Sequence, residues 1–336
     1  MKKTENKKKT NIFKKIFIKL CRILGYEIID QASFYSPTLE KHLNETLSKP
    51  GKTSITIPLG QIKIKRKIET LKIIMRSCTS ELIMDQNKKR LFDCKKNEYT
   101  FRTLKSLIKS VQSAKEEIKD INFELVVTDT NSPEEDIFKI KDLLSKSDIK
   151  SDFRSINLKV FEQRIKNGYS KAKFANMANF YNSLLIAKNE KADIIYFVED
   201  DYIHSRNTIN EMIFSYEKLS TIFHRDLVLL PADYPYLYTK DDDTKIYLGE
   251  KHHWRLVKES LVTFMTSKKI IDENFDNLEK MGKEWIDPWE MPLHEMYKKV
   301  PCLSPMPSLA FHCANINSAF GVSPNIDLKK VWEENN

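Results

Sequence analysis

Ala192-Asp193-Ile194-Ile195-Tyr196-Phe197-Val198-Glu199-Asp200-Asp201-Tyr202 is the stretch that decides how this chain of 336 residues is read. The apolar run Ile194 to Val198 has no alternating polar face, which is the pattern of a strand covered on both sides. The carboxyl ends of such strands are where open α/β sheets place their ligands. Three adjacent carboxylates at that point repel one another and resist desolvation, so a cation is expected among them. The simplest candidate is a divalent metal held by oxygen ligands. A plainer use exists for Asp201 alone, as the N-cap of a helix expected from about Asn207 through Glu217. A cap needs one acid, and here there are three.

Strand and helix patterns alternate on the amino-terminal side of this stretch. Leu71 to Met75 reads as a strand that stops at Arg76-Ser77-Cys78-Thr79-Ser80. A helix follows over Thr100 to Ala114, with Phe101, Leu104, Leu107, Ile108 and Val111 on one face. Phe123 to Val127 is the next strand, ending at Thr128-Asp129-Thr130-Asn131-Ser132, and Pro133 to Leu144 a helix. Ile156 to Phe161 is expected as a strand, and Ala172 to Ala187 as the helix leading into Ile194. This order predicts an α/β fold with a mostly parallel central sheet and helices on both faces. Beyond the acids, Leu227 to Leu230 and Ser260 to Met265 read as further strands, and Asp241-Asp242-Asp243 as a solvated loop.

The formal net charge is +9, and part of the excess sits in the first twenty residues, at Lys2, Lys3, Lys7, Lys8, Lys9, Lys14, Lys15 and Lys19. Between Asn11 and Tyr26 the residues Ile12, Phe13, Ile16, Phe17, Leu20, Ile23 and Leu24 recur at helical spacing among basic residues. This basic amphipathic helix is too short and too charged to span a bilayer. It suits either an anionic membrane surface, where each nearby Lys or Arg contributes about 1 kcal/mol, or packing on the main domain. No zinc-finger, RNP-type or basic-zipper pattern is present, so nucleic acid is not the expected partner. Five scattered cysteines without a C-x-x-C pair point to a reducing compartment and to no structural zinc. Breakers at Ser36-Pro37, Lys49-Pro50-Gly51 and Pro58 mark residues 31–68 as a linker.

The succession of a strand, a strand ending in Val126-Val127-Thr128-Asp129, a helix carrying Asn182-Ser183-Leu184-Leu185-Ile186-Ala187, and an apolar strand ending in acid-x-acid resembles the GT-A glycosyltransferases, closest to the family-2 nucleotide-sugar enzymes. The resemblance covers roughly residues 71–202. It implies a GT-A-like catalytic domain over 69–325, with a nucleotide-binding half (69–205) and an acceptor half (206–325), after a basic segment at 1–30 and before a tail at 326–336. It implies a nucleotide-sugar donor contacted by Arg76, Asp129, Asn182, Glu199 and Asp200, and Mn²⁺ or Mg²⁺ bound by Asp201. Glu199 stands where Asp is commoner and is one methylene longer, which leaves open which acid reaches the metal. Hard oxygen ligands favour these ions, and a divalent cation suits a diphosphate leaving group.

Aromatic and polar residues after the later strands, among them Asp233, Trp254 and Arg255, suit the sugar or its acceptor. Glu284-Trp285-Ile286-Asp287-Pro288-Trp289-Glu290 is a second acid cluster; Asp287 and Glu290, with Glu295 as a third, are candidates for the base that deprotonates an acceptor hydroxyl. His312 ends a short apolar run and is a candidate metal ligand, since the resemblance places a late histidine in that shell. The expectation is a cytoplasmic enzyme, docked at the inner membrane face by residues 11–26, acting on a glycan or lipid-linked acceptor. A sugar-nucleotide nucleotidyltransferase, a phosphohydrolase built on Asp129 and a non-catalytic membrane-associated protein are the alternatives. The first lacks its Gly-rich loop at Arg76 to Ser80, and the second lacks an Asp two residues beyond Asp129, where Asn131 stands.

Overall fold

The computed structural model describes residues 12–26, 53–56, 60–80, 91–313 and 326–336. The chain divides into a unit of residues 1–47 with 55–62 and a larger unit of residues 48–54 with 63–336. Expectations for the Lys-rich residues 1–11 and for most of the linker fall outside the described residues. In the first unit Ile12–Ile23 forms helix α1. The seven apolar residues spaced along it and its end are between 55% and 80% exposed. Two short strands, Thr53–Thr56 (β1) and Gly60–Lys63 (β2), follow in the chain.

Among the described residues, nine strands of the larger unit form one sheet. Its parallel part consists of Lys150–Ser155 (β5), Asn122–Asp129 (β4), Thr70–Ser77 (β3) and Ile194–Val198 (β6), side by side in that order. Beyond β6 come Phe264–Ser267 (β11), Val228–Leu229 (β8), Cys302–Met306 (β12), His253–Val257 (β10) and Ile246–Leu248 (β9). β11 is antiparallel to both its neighbours, and β12 is parallel to β8. After β3 the chain adds β4 and β5 on one side, then returns to lay β6 on the other. That change of direction opens a crevice at the carboxyl ends of β3 and β6. The α/β layering with helices on both faces of a central sheet, expected from the sequence, is observed; the sheet is parallel from β5 to β6 and mixed beyond it.

The β6 run is buried on both faces, as its lack of alternation requires. Ile195 and Phe197 join one core cluster with Phe180, Leu184, Met281 and Leu293. Ile194, Tyr196 and Val198 join another with Leu104, Leu107, Met212 and Tyr216. Each such fully buried side chain contributes roughly 1.5–3 kcal/mol. The first cluster belongs to the face covered by Lys171–Asn189 (α4), Lys268–Glu273 (α6), Phe275–Lys283 (α7) and Met291–Tyr297 (α8). The second belongs to the face covered by Lys96–Glu117 (α2) and Thr208–Phe223 (α5), while Glu134–Ser145 (α3) crosses before β5. α4 starts where the Ser170 hydroxyl accepts the Lys173 amide at 3.3 Å, and it is apolar over most of its circumference because the sheet and α7 cover it.

Three expectations are corrected. The strand expected at 156–161 lies at β5, and Leu158–Phe161 is a 3₁₀ turn. β5 is an edge strand of polar sequence, so hydrophobicity does not mark it, whereas Ile156, Leu158 and Phe161 pack onto the α4 side of the core. Only the last part of the 260–265 run is strand, because β11 pairs with β6 from Phe264 onward. The final residues carry a helix, Leu328–Glu333 (α9), rather than a bare tail. Trp332 stacks on Phe92 at 4.2 Å between centroids, and Arg102 donates to the Trp332 carbonyl at 2.6 Å.

Candidate active site

Two further short strands bring the acids and a late histidine together. Tyr202–His204 (β7) pairs antiparallel with Ala310–His312 (β13), setting His312 opposite Tyr202. The Cys313 amide donates to the Asp201 carbonyl at 2.8 Å and holds the next residue in place. As a result His312 Nε2 lies 3.2 Å from Asp201 Oδ2, and its ring stacks on Tyr202 at 4.7 Å. Asp201 caps no helix, since α5 begins only at Thr208.

The three acids have separate partners. Glu199 Oε1 accepts from Arg76 Nη2 at 3.0 Å, and its Oε2 accepts from the Thr263 hydroxyl at 3.3 Å. Arg76, buried at the end of β3, also donates to Asn176 Oδ1 at 2.9 Å and lies over the rings of Phe180 and Trp289. Asp200 Oδ2 accepts from the Cys78 amide at 3.1 Å and the Thr100 hydroxyl at 2.9 Å, with Lys96 at 3.6 Å. Asp201 faces His312. Burial would push Asp201 up, but His312, Lys96 and Arg76 outweigh it and hold the carboxyl below the usual range. Glu199 goes the other way, raised by burial with Asp201 and Asp200 adding, against the opposing charge of Arg76.

Asp129 is buried at the end of β4, where it accepts from the Ser77 hydroxyl at 2.7 Å, the Ser132 hydroxyl at 2.5 Å and the Ser132 amide at 3.1 Å. Burial raises its pKa against those hydrogen bonds. It closes a turn in which Asn131 takes a left-handed φ of 60°, a conformation that Asn tolerates. The carboxylate thus shapes the floor between β3 and β4.

The second acid cluster separates by environment. Asp287 is exposed, and so is Glu295, paired with Lys298 at 2.6 Å. Glu290, half-buried at the start of α8, is pushed up to about 7 by burial, with Glu199 adding to the rise and His312 and Arg76 opposing it. Glu290 feels the charges of Glu199, His312 and Arg76, and it lines a cleft of about 1020 Å³.

Four sequence-derived candidates lie elsewhere. Trp254 is fully buried, its indole donating to Glu211 at 3.3 Å, so no sugar reaches its ring. Asp233 and Arg255 form a buried ion pair at 2.7 Å, with Ser304 and Tyr238 also donating to the carboxylate. Alternating polarity near a strand end looks the same for a pocket wall and for a core network. Asn182 is six residues beyond Asn176 on α4, about 9 Å deeper along a helix that runs antiparallel to β6. Asn176 and Asn179 are the amides at the strand ends: Asn179 donates to the carbonyls of Ser77 at 3.2 Å and Thr128 at 3.1 Å. Their spacing of three on the first turns of α4 was legible; the roles of Lys96, Thr100 and Thr263 were not, because they come from distant segments.

Among the described residues no group of three or more His, Cys, Asp or Glu side chains forms a metal cage. Asp201 and His312 offer two ligands, and Asp201 Oδ1 is buried with no hydrogen-bond partner among the described residues. Mg²⁺ or Mn²⁺ that takes the rest of its shell from phosphate oxygens and water fits that donor set.

No family model matches the chain, and no curated protein matches it. Solved structures are similar only distantly. S. aureus TarS is 14% identical at a TM-score of 0.41, covering 74% of this chain and 37% of its own. The bifunctional glycosyltransferase WbbM is 9% identical at a TM-score of 0.41, covering 80% of this chain and 49% of its own. A UDP-glucose pyrophosphorylase complexed with UDP-glucose is 9% identical at 0.38, covering 80% and 97%. This chain therefore spans less than half the length of the first two. Likenesses at this level carry no argument of their own, and the functional reading stands on the site.

Proposed function

We propose that the protein is a glycosyltransferase that moves a sugar from a nucleotide-sugar donor to an acceptor hydroxyl. The observation that carries the reading is the meeting, at one end of the sheet, of Asp201 with His312 and of Arg76 with Glu199; Glu290, raised to about 7, adds a candidate base that feels their charges. The donor diphosphate lies over the ends of β3 and β6, with Arg76 and Lys96 supplying positive charge and Asp129 shaping the nucleoside side of the floor. Asp201 and His312 would hold Mn²⁺ or Mg²⁺, which would supply neutralisation of the charge developing on the leaving diphosphate. Glu290 takes the proton of the acceptor hydroxyl as the oxygen bonds to the anomeric carbon; the carbon–phosphate-oxygen bond breaks, and the nucleoside diphosphate leaves with its electron pair. A carboxyl with a pKa near the working pH suits that transfer, and a displacement of this kind inverts the anomeric centre.

α1 docks the enzyme at the cytoplasmic face of an anionic membrane. Its apolar residues are exposed, Lys and Arg stand between them in the sequence, and among the described residues no helix is long and apolar enough to cross a bilayer.

Thermal unfolding with UDP-, GDP-, CMP- and dTDP-sugars, with and without Mn²⁺, tests the reading. A ligand at a hundred times its Kd adds about 2.7 kcal/mol of stability. Stabilisation that needs no metal, or that survives Asp201→Asn, would sink the site as drawn.

A further inference from the structure

The cleft beside Glu290 does not end at the catalytic group. Its wall continues to Val300 and Pro301, and the Pro301 carbonyl accepts from Val228 at the start of β8. β8 is antiparallel to β11, which is antiparallel to β6, so this is the amino end of the sheet, opposite Glu199. Arg225, Lys299, Val300 and Pro301 also line a second cleft of about 480 Å³. The two therefore adjoin along that wall as one trough. Tyr236, 37% exposed, offers an aromatic surface in the half that holds Glu290.

The trough is charged unevenly. Eight Lys and Arg side chains line the two clefts against five carboxylates. Near Glu290 the lysines are neutralised: Lys240 pairs with Glu259 at 2.5 Å, Lys258 with Asp242 at 2.6 Å and Lys298 with Glu295 at 2.6 Å. Where the clefts join and beyond, Arg225, Lys299 and Lys65 are exposed and have no ion pair among the described residues. Neutral near the reacting group and cationic farther out, this gradient suits a chain whose first unit is an uncharged polyol or sugar and whose later linkages are anionic.

We propose that the trough is the acceptor site and that the acceptor is a phosphodiester-linked saccharide or polyol chain. Its reacting hydroxyl lies at Glu290, and its downstream phosphates run along Arg225, Lys299 and Lys65. The inference rests on the sugar-transfer reading for the role of Glu290, but the anion site stands on the trough itself. Lys299 and Lys65 hold phosphate as point charges and Arg225 through its planar fork, and at exposed positions both weaken with salt.

Fluorescently labelled poly(glycerol phosphate) is titrated into the full chain, with neutral dextran as control and oligouridylate of matched charge as competitor. We expect saturable binding that weakens at least tenfold in the Arg225→Gln, Lys299→Gln, Lys65→Gln triple variant and is unchanged in Lys329→Gln, Lys330→Gln. Nucleotide-dependent thermal stabilisation should persist in both. Undiminished binding by the triple variant, dextran binding as tightly, or oligouridylate competing equally would each overturn the phosphodiester acceptor. Polymer binding intact in a wild-type protein that no nucleotide sugar stabilises would instead reject the transferase reading and leave the anion site standing.

Discussion

His312 Nε2 sits 3.2 Å from Asp201 Oδ2 across a sequence separation of 111 residues, because β13 pairs with β7 in a register that aligns His312 with Tyr202. Among the groups that hold this buried carboxyl below its usual range, ahead of Lys96 and Arg76, the imidazole has the largest effect.

In His312→Ala the Asp201 carboxyl loses its largest favourable interaction while remaining buried. A carboxyl depressed in the folded state contributes stability above its unfolded pKa of about 3.9, lost as pH falls through the folded value. The variant should lose that contribution and begin its acid unfolding at higher pH than the wild type. Thermal midpoints from pH 3 to 7 test this; coincident curves would reject the coupling.

Glu290 carries the opposite sign. Its carboxyl is raised to about 7, so stability declines as pH rises from the unfolded value near 4.5 to about 7. Glu290→Gln should remove that decline and be more stable than wild type at pH 8. Transfer activity should rise through about pH 7 in wild type and fall by 10²–10⁴ in the variant. A variant with full turnover would exclude Glu290 as the base.

Arg76→Ala leaves Glu199 half-buried without its cation and opens space beside Phe180 and Trp289. Breaking a buried pair on one side costs about 3–5 kcal/mol. Denaturant unfolding should register most of that, with Arg76→Lys intermediate because an ammonium does not reproduce the fork to Asn176 and Glu199. A loss below about 1 kcal/mol would mean that solvent replaces the pair.

Trp254→Ala should lower stability by about 3–5 kcal/mol and leave acceptor KM unchanged at temperatures where the protein stays folded. Gly249→Ala should act through the same contact, since an added methyl would collide with Trp254 Nε1 and with the Ser215 and Glu211 side chains. A rise in acceptor KM without loss of stability would restore Trp254 to the sugar site.

Removal of residues 1–26 should abolish co-flotation with anionic vesicles and leave nucleotide-dependent stabilisation intact. Unchanged flotation of the shortened protein would reject α1 as the anchor.

The sequence made much of the frame legible. A run such as Ile194 to Val198 has one physical solution, a strand covered on both faces, and the helix over Thr100 to Ala114 followed from period alone. β5 was invisible because an edge strand of Lys, Ser, Asp and Arg around a single Phe carries no apolar pattern. Asp129, Glu199, Asp200 and Asp201 could be placed at strand ends because like charges at adjacent positions call for a ligand. Chain order alone could not separate Asp287 from Glu290, nor tell that Trp254, Asp233 and Arg255 turn inward. Composition and periodicity determined the α/β layering and the edge where the acids gather, since both are local consequences of burial. Tertiary structure alone decided which acid is held ionised, which is held near neutrality and which groups face one another, because pKa and pairing depend on desolvation and on charges from segments a hundred residues apart.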